Sequence, residues 1–304
     1  MAIIVVPTDQ PTVQDAIDNA NAGDTIQILV GTFDGFDITV DRLKIVGCGI
    51  GKTIIFGNPA MGSSNGVVVN GTQTHLQGFT VQGYGGGAGV QINTDNNVIQ
   101  QVEASFNMTG FSVEANDNLL INNLATFNTD GFVVVGANNC LVENESRNNT
   151  NDGYVLNESG MSILENNLAK ENGQFGFNIN SDMNILFGNS ALKNELDGIL
   201  IAENADNNQV LDNKSCDNVN NGITLSLSTG NRIDSNIVRK NGDPDAVTGI
   251  GIDVDSDADF NTISFNKVTR NVDLDINAPG DAATDNTFDG NKCNNSVPPI
   301  ICNS

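Results

Sequence analysis

The sequence predicts an all-β chain: a single-stranded right-handed parallel β-helix of three short sheets and about 11 coils, with a short N-terminal capping helix. Three observations predict it. Asparagines recur in three series about 22 residues apart, a spacing of the repeat-protein kind. Apolar residues keep the same register as the asparagines, and a glycine opens one strand in nearly every coil.

The first observation can be checked by counting. One series runs Asn123, Asn144, Asn167, Asn189, Asn213, Asn236, Asn266 and Asn291, with gaps of 21, 23, 22, 24, 23, 30 and 25 residues. A second lies five residues earlier (Asn118 to Asn286, with Ser162 substituted) and a third five residues later (Asn128 to Asn271). An amide is both donor and acceptor, so stacked Asn side chains can bond from coil to coil at corners where the backbone needs polar partners.

The apolar positions fix which way each strand faces. Leu120, Leu141, Leu164, Leu186, Val210, Ile233 and Ile263 follow the second series at a constant offset. Small residues such as Ala125, Ser146, Ala169 and Ala191 follow the first. After the third series comes Gly110, Gly131, Gly153, Gly176, Gly198, Gly222 or Gly251, then a large residue. Alternation with period two, three segments to a coil, describes short parallel strands around one interior. Phe111, Phe132, Tyr154 and Phe177 should stack inside as a ladder of rings.

At the start, Thr12 can cap a short helix that places Val13, Ala16, Ile17 and Ala20 on one face, with Gly23 stopping it. Strands are expected at 25–30, 36–40, 43–46 and 53–56. The whole chain reads as one domain: 1–30 a cap and first strand, 31–291 the coils, 292–304 a terminal tail. A helix over the first coil blunts an otherwise adhesive edge.

These segments carry a resemblance. Residues 11–28, from Pro11-Thr12-Val13-Gln14 to Ile28, with Gly31-Thr32-Phe33, resemble the entry of pectate-lyase-like β-helix proteins. The Asn-rich coils from 97 to 291 are similar to NosD-like, periplasmic-copper-binding repeats. The resemblance covers nearly the whole chain and implies the fold. For activity it implies little, since such proteins include lyases, hydrolases, epimerases, tailspikes and non-catalytic surface proteins. The polygalacturonase pattern is incomplete: Asn93-Thr94-Asp95 stands alone, there is no Gly-His-Gly, and Arg232-Ile233 is followed by Asp234. The Asp-Pro-His of mannuronan epimerases is absent as well.

Charge narrows the partners. Against 13 Lys and Arg stand 37 Asp and Glu, a formal net charge of −24. That surface repels nucleic acid and anionic lipid. No run approaches the ~18 apolar residues of a membrane span. The N-terminus lacks the basic and long apolar regions of a secretory signal. The compartment stays open, and only fold analogy suggests a surface or extracellular place. The five cysteines are scattered without a C-x-x-C; only Cys293 and Cys302 are near enough in sequence for a terminal disulfide to be considered. A single His75 makes a histidine-based triad or a copper-type site a poor reading. Gly47-Cys48-Gly49-Ile50-Gly51-Lys52-Thr53 ends like a phosphate loop, but Val46 stands where that loop needs glycine, so it reads as a turn.

Two places depart from the repeat. The coil between Asn231 and Asn261 is lengthened by an insertion at 242–247 and followed by an Asp-rich strand. Alternation would put Asp253, Asp255, Asp273 and Asp275 outward as a square of carboxylates, with Asp243 and Asp245 nearby. Carboxylates that close share protons or attract a cation, and oxygen ligands favour Ca²⁺. Arg239, Lys240 and Arg270 could neutralise them instead. The second departure is apolar: Leu119, Ile121, Val142, Ile163, Ile185, Phe187 and Leu211 occupy outward positions. Contiguous exposed apolar patches usually mark contacts.

From these the sequence favours a non-catalytic structural or surface protein. It would form a homo-oligomer, or bind a polymer, through flat sheet faces. The alternative is a polysaccharide-active enzyme, such as a lyase in which Ca²⁺ on the Asp square neutralises a uronate and Lys240 or Arg270 removes the α proton. A glycan-binding module is the third reading, with Phe36, Tyr84 and Phe187 as its candidate exposed aromatics. No cofactor beyond Ca²⁺ is suggested.

Overall fold

The computed structural model describes residues 1–57, 64–158, 160–245 and 248–302. The chain is an all-β parallel β-solenoid of about 12 turns, with two to three sheets and negligible helix. It divides into two compact units, Met1–Asn149 and Thr150–Ser304, built from the same coil.

In the first unit, Thr12 caps the helix Val13–Asp18 by accepting from the Asp15 N–H at 3.0 Å. Val13, Ala16 and Ile17 are buried against the strands Ile3–Val6, Thr25–Ile28 and Phe36–Ile38. The coils then pair in parallel with the expected register, Leu120 opposite Leu141 and Phe111 opposite Phe132. In His75–Gln82 and Val98–Ser105 the first and second segments of a coil run together as one strand. This is why two of the three expected sheets are joined.

The second unit repeats the pattern. Tyr154, Phe177, Ile199, Ile223, Ile252 and Ile276 face inward in register on the third segments. Leu164, Leu186, Val210, Ile233 and Ile263 do so on the first. Phe111, Phe132, Tyr154 and Phe177 are all fully buried. The coil is thinnest where the second segment meets the third. A Cβ on Gly176 would lie 3.1 Å from Ala191 Cβ and 2.8 Å from Asn194 Nδ2, so glycine and alanine there are paired requirements.

Each corner is turned by one residue in the left-handed region, immediately before a ladder asparagine: Asp117 (φ 57°), Asn122 (φ 53°) and Phe127 (φ 57°) turn a single coil. That conformation is disfavoured for non-glycine residues. The asparagine that follows holds it. Asn213 Oδ1 accepts from the Asn189 N–H (2.8 Å) and Nδ2 (3.0 Å), while its own Nδ2 donates to the Leu186 carbonyl (2.8 Å). Its Nδ2 also donates to Asn236 Oδ1 (3.2 Å), so one amide bonds to coils on both sides. Asn213→Ala should cost roughly 2–6 kcal/mol, because it orphans two buried backbone groups at about 1–3 kcal/mol each. Urea unfolding checks it, and a loss below ~1 kcal/mol would show that water replaces the amide.

Cys293 and Cys302 form a disulfide with a Cα separation of 5.2 Å. Gly49–Thr53 is a turn entering a strand: the Thr53 hydroxyl donates to the Leu29 carbonyl at 2.9 Å, and Lys52 N–H bonds back to Gly49.

Candidate functional site

The third segments of the second unit carry a polar row on their outward face. The residue before each strand-opening glycine starts it. Asp152 Oδ1 accepts from Phe175 N–H and its Oδ2 from Asn178 Nδ2, both at 2.9 Å. Asp197, only 4% exposed, does the same two repeats further on. Its Oδ1 accepts from Asn221 N–H (3.0 Å) and Asn220 Nδ2 (2.6 Å), and its Oδ2 from the Thr224 hydroxyl (2.8 Å). Asn221 Nδ2 then donates to Thr224 Oγ1 (3.1 Å) and to Asp253 Oδ2 (3.4 Å). Asp253 Oδ1 accepts from Asn277 Nδ2 at 2.9 Å. Asp197 and Asp253 are thus linked through one hydroxyl and one amide.

This setting raises proton affinity. Burial pushes the Asp197 carboxyl above its ordinary 3.8, against the pull of Thr224, Asn221 and Asn220. Burial also raises Asp253, and the Asp197 and Asp255 charges add to it, against the pull of Asn277. Asp255 lies two residues further along. Asp255 directly follows the strand Ile252–Val254, whose Ile252 and Val254 are buried; it is half-buried and its Oδ1 accepts from Ser256 N–H at 2.7 Å.

The Ca²⁺ square does not form. Ile252 pairs with Ile276 and Asp253 with Asn277, so Asp275 falls at the glycine position rather than beside Asp253. It is 3% exposed and accepts from Asn271 N–H and Nδ2 and from Asn294 N–H. Leu274, expected inward, occupies the outward position in its place and is half-buried. The error is one of register: Leu274 and Ile276 were both read as inward, and Ile276 is, but it is Ile276 that pairs with Ile252, a shift of two residues that alternation cannot detect. Asp273 is exposed. Asp243 Oδ1 accepts from Asp245 N–H within the insertion, whose Ala246 and Val247 lie outside the described residues. Among the described residues no three His, Cys, Asp or Glu side chains converge to hold a metal.

Lys240 and Arg270 sit on successive left-handed corners after the second segments, at φ 56° and 64°. Arg270 lines a groove of ≈ 590 Å³ with Lys214, Arg239 and Lys267. The apolar positions lie outward as expected: Ile163 and Phe187 are exposed, and Leu119, Ile121, Val142, Ile185 and Leu211 are half-buried. Of the three candidate exposed aromatics only Phe187 is one, since Phe36 and Tyr84 are buried. Phe106 and Phe127, unremarked in the sequence, are exposed and stacked at 5.3 Å.

Asp152 and Asp197 were also missed. The signal was the Asp-Gly pair that opens the strands at 130, 152 and 197. It looks like a turn until the coils are stacked and the aspartates reach the next strand.

The profile of the right-handed beta helix region matches residues 65–215 and 143–293. The chain belongs to this right-handed β-helix family. No curated protein matches the sequence. Among solved structures, this β-helix is similar to the A-module of an Azotobacter vinelandii mannuronan C-5 epimerase, at 17% identity, covering 93% of this chain and 88% of that one, TM-score 0.79. It is similar to a pectate lyase at 18% identity, covering 97% and 78%, TM-score 0.55. A family 6 polysaccharide lyase from Pseudopedobacter saltans aligns at 14% identity over 93% and 89%, TM-score 0.54. These comparisons correct the expectation of a non-catalytic structural protein assembling through its apolar faces. The fold neighbours are carbohydrate-active enzymes, which favours the alternative reading. No helix among the described residues is long and apolar enough to cross a membrane.

Proposed function

We propose that this β-helix protein cleaves a polysaccharide by hydrolysis, with Asp253 as general acid and Asp255 as general base. The observation that carries the reading is the pair itself: two carboxylates, one on the strand Ile252–Val254 and one directly after it, the first with raised proton affinity. A protonated Asp253 can protonate the leaving glycosidic oxygen, and an ionised Asp255 can take a proton from the attacking water. Direct attack by that water on the face opposite the leaving group inverts the anomeric centre. Asp197 is a positioning residue: its charge beneath Thr224 and Asn221 keeps the proton on Asp253. The polysaccharide-acting names of the fold neighbours support the substrate class. A Ca²⁺-dependent lyase is the weaker reading, since its carboxylates do not converge.

The test is reducing-end release from a panel of neutral and acidic polysaccharides across pH. The expected profile lies on the acid side, falling as pH rises through the raised value of Asp253. Proton NMR of the first product should show inversion. No product from any polymer overturns the proposal. Unsaturated, ultraviolet-absorbing product ends would replace hydrolysis by elimination.

A further inference from the structure

The second unit holds nine basic side chains: Lys170, Lys193, Lys214, Arg232, Arg239, Lys240, Lys267, Arg270 and Lys292. Three of them are paired, Lys170 and Lys193 with Glu171 and Arg232 with Asp234. Among the described residues none of the other six has a carboxylate within 4.0 Å. All six lie on one face. Lys214, Ile237, Lys267 and Lys292 occupy the same position in four successive coils, and Arg239 lies two residues on from Ile237. Lys240 and Arg270 turn the corner beside them. This is the face of the second segments, not the third-segment face that carries Asp253.

In a chain of net charge −24 such a concentration is not needed for solubility. Lys267 and Lys292 in direct register repel each other, a cost that dispersal or pairing would avoid. Lys214, Arg239, Lys267 and Arg270 instead line the groove of ≈ 590 Å³, where Thr269 and Asn294 add neutral hydrogen-bonding groups. No aromatic ring lines it, so nothing is offered for stacking nucleic-acid bases. Cations repeated at about 4.8 Å along a rigid sheet suit a polymer with a charge on successive units.

We infer that this groove is a holding site for an anionic polysaccharide, one with carboxylate or sulfate groups on its sugars. It would be separate from the cleavage site. The inference rests on the proposed polysaccharide activity and adds that the polymer is negatively charged. It also explains how a strongly acidic protein engages a polyanion, through a face on which, among the described residues, these six basic side chains have no carboxylate within 4.0 Å.

Titration calorimetry at low salt with polygalacturonate, dextran sulfate, neutral dextran and single-stranded DNA tests it. The wild type should bind polygalacturonate or dextran sulfate, which separates carboxylate from sulfate recognition. A Lys267→Gln, Arg270→Gln variant should bind about tenfold more weakly, the size of one lost charge contact of ~1.4 kcal/mol. These side chains are exposed, so the thermal midpoint should not fall; a Lys214→Gln, Arg239→Gln variant gives an independent reading of the same groove. Unchanged affinity in both variants, equal binding of neutral dextran, or preference for DNA overturns the inference. Cleavage of a neutral glucan without binding of either polyanion would sink this inference and leave the proposed activity standing. If no polysaccharide is bound or cleaved, both fail.

Discussion

Asp253→Asn is expected to reduce polysaccharide cleavage by about 10²–10⁴-fold, the usual contribution of a positioned proton donor. Asparagine keeps the shape and can still accept from Asn277, the shorter of the two bonds, though not also from Asn221, so binding should survive while turnover is lost. Stability should move the other way. The Asp253 carboxyl is raised in the folded chain, so the folded state binds the proton more tightly than the unfolded state. Its contribution is therefore greatest at acid pH, and stability is lost as pH rises from about the ordinary 3.8 through the raised value. Asparagine carries no charge to desolvate. The variant should melt above the wild type at neutral pH, and the difference should narrow at acid pH. Asp197→Asn should show the same stability trend, but with the pH–rate profile shifted to lower pH rather than activity abolished, because it acts through Asp253. A variant at 253 that retains full activity would remove Asp253 from the mechanism.

Phe132→Ala should destabilise the first unit by about 3–5 kcal/mol, the range for deleting a buried aromatic side chain. Phe132 is fully buried and stacks on Phe111 with centroids 4.7 Å apart and planes 5° from parallel. Its neighbours sit on strands whose backbones are bonded to the coils on either side, so the surroundings cannot collapse to fill the gap. The dispersion contacts of Phe111 are lost along with the transfer term. Equilibrium denaturation measures it. A loss under ~1.5 kcal/mol, as for a volume-conserving swap, would mean the coil closes around the missing ring.

The fold was legible because a coil is a periodic object. Leu164, Leu186 and Val210, or Asn189 and Asn213, recur at spacings that only stacking explains, and burial then follows from alternation. The site was legible only in part. Asp253 and Asp255 were found because alternation holds within one strand. Asp275 was misplaced because register between coils depends on which residue the neighbouring strand bonds, and the glycine that marks this position four residues after Asn149, Asn172, Asn194 and Asn218 is replaced by Asp275 itself after Asn271. Asp197 was hidden because its partners, Asn221 and Thr224, are 24 and 27 residues away. Function was least legible, since the apolar outward residues and the acidic strand pointed to different classes.

Asp275 has a meaning beyond its burial. The third ladder of the second unit has a direction: Asn172, Asn194, Asn218 and Asn241 each donate side-chain and backbone N–H to the amide oxygen one coil ahead. A donor chain of that kind is open-ended, always leaving its last member with hydrogens to place. Asn271 gives them to Asp275. A carboxylate only accepts, so Oδ1 receives the final pair while Oδ2 accepts from the Asn294 N–H. The aligned amides also leave positive charge at that end, where a negative group is favoured, as at the start of an α-helix. The third ladder thus closes on a carboxylate within its own coil, while the sheets run on through Thr287–Asp289 and Ser296–Val297.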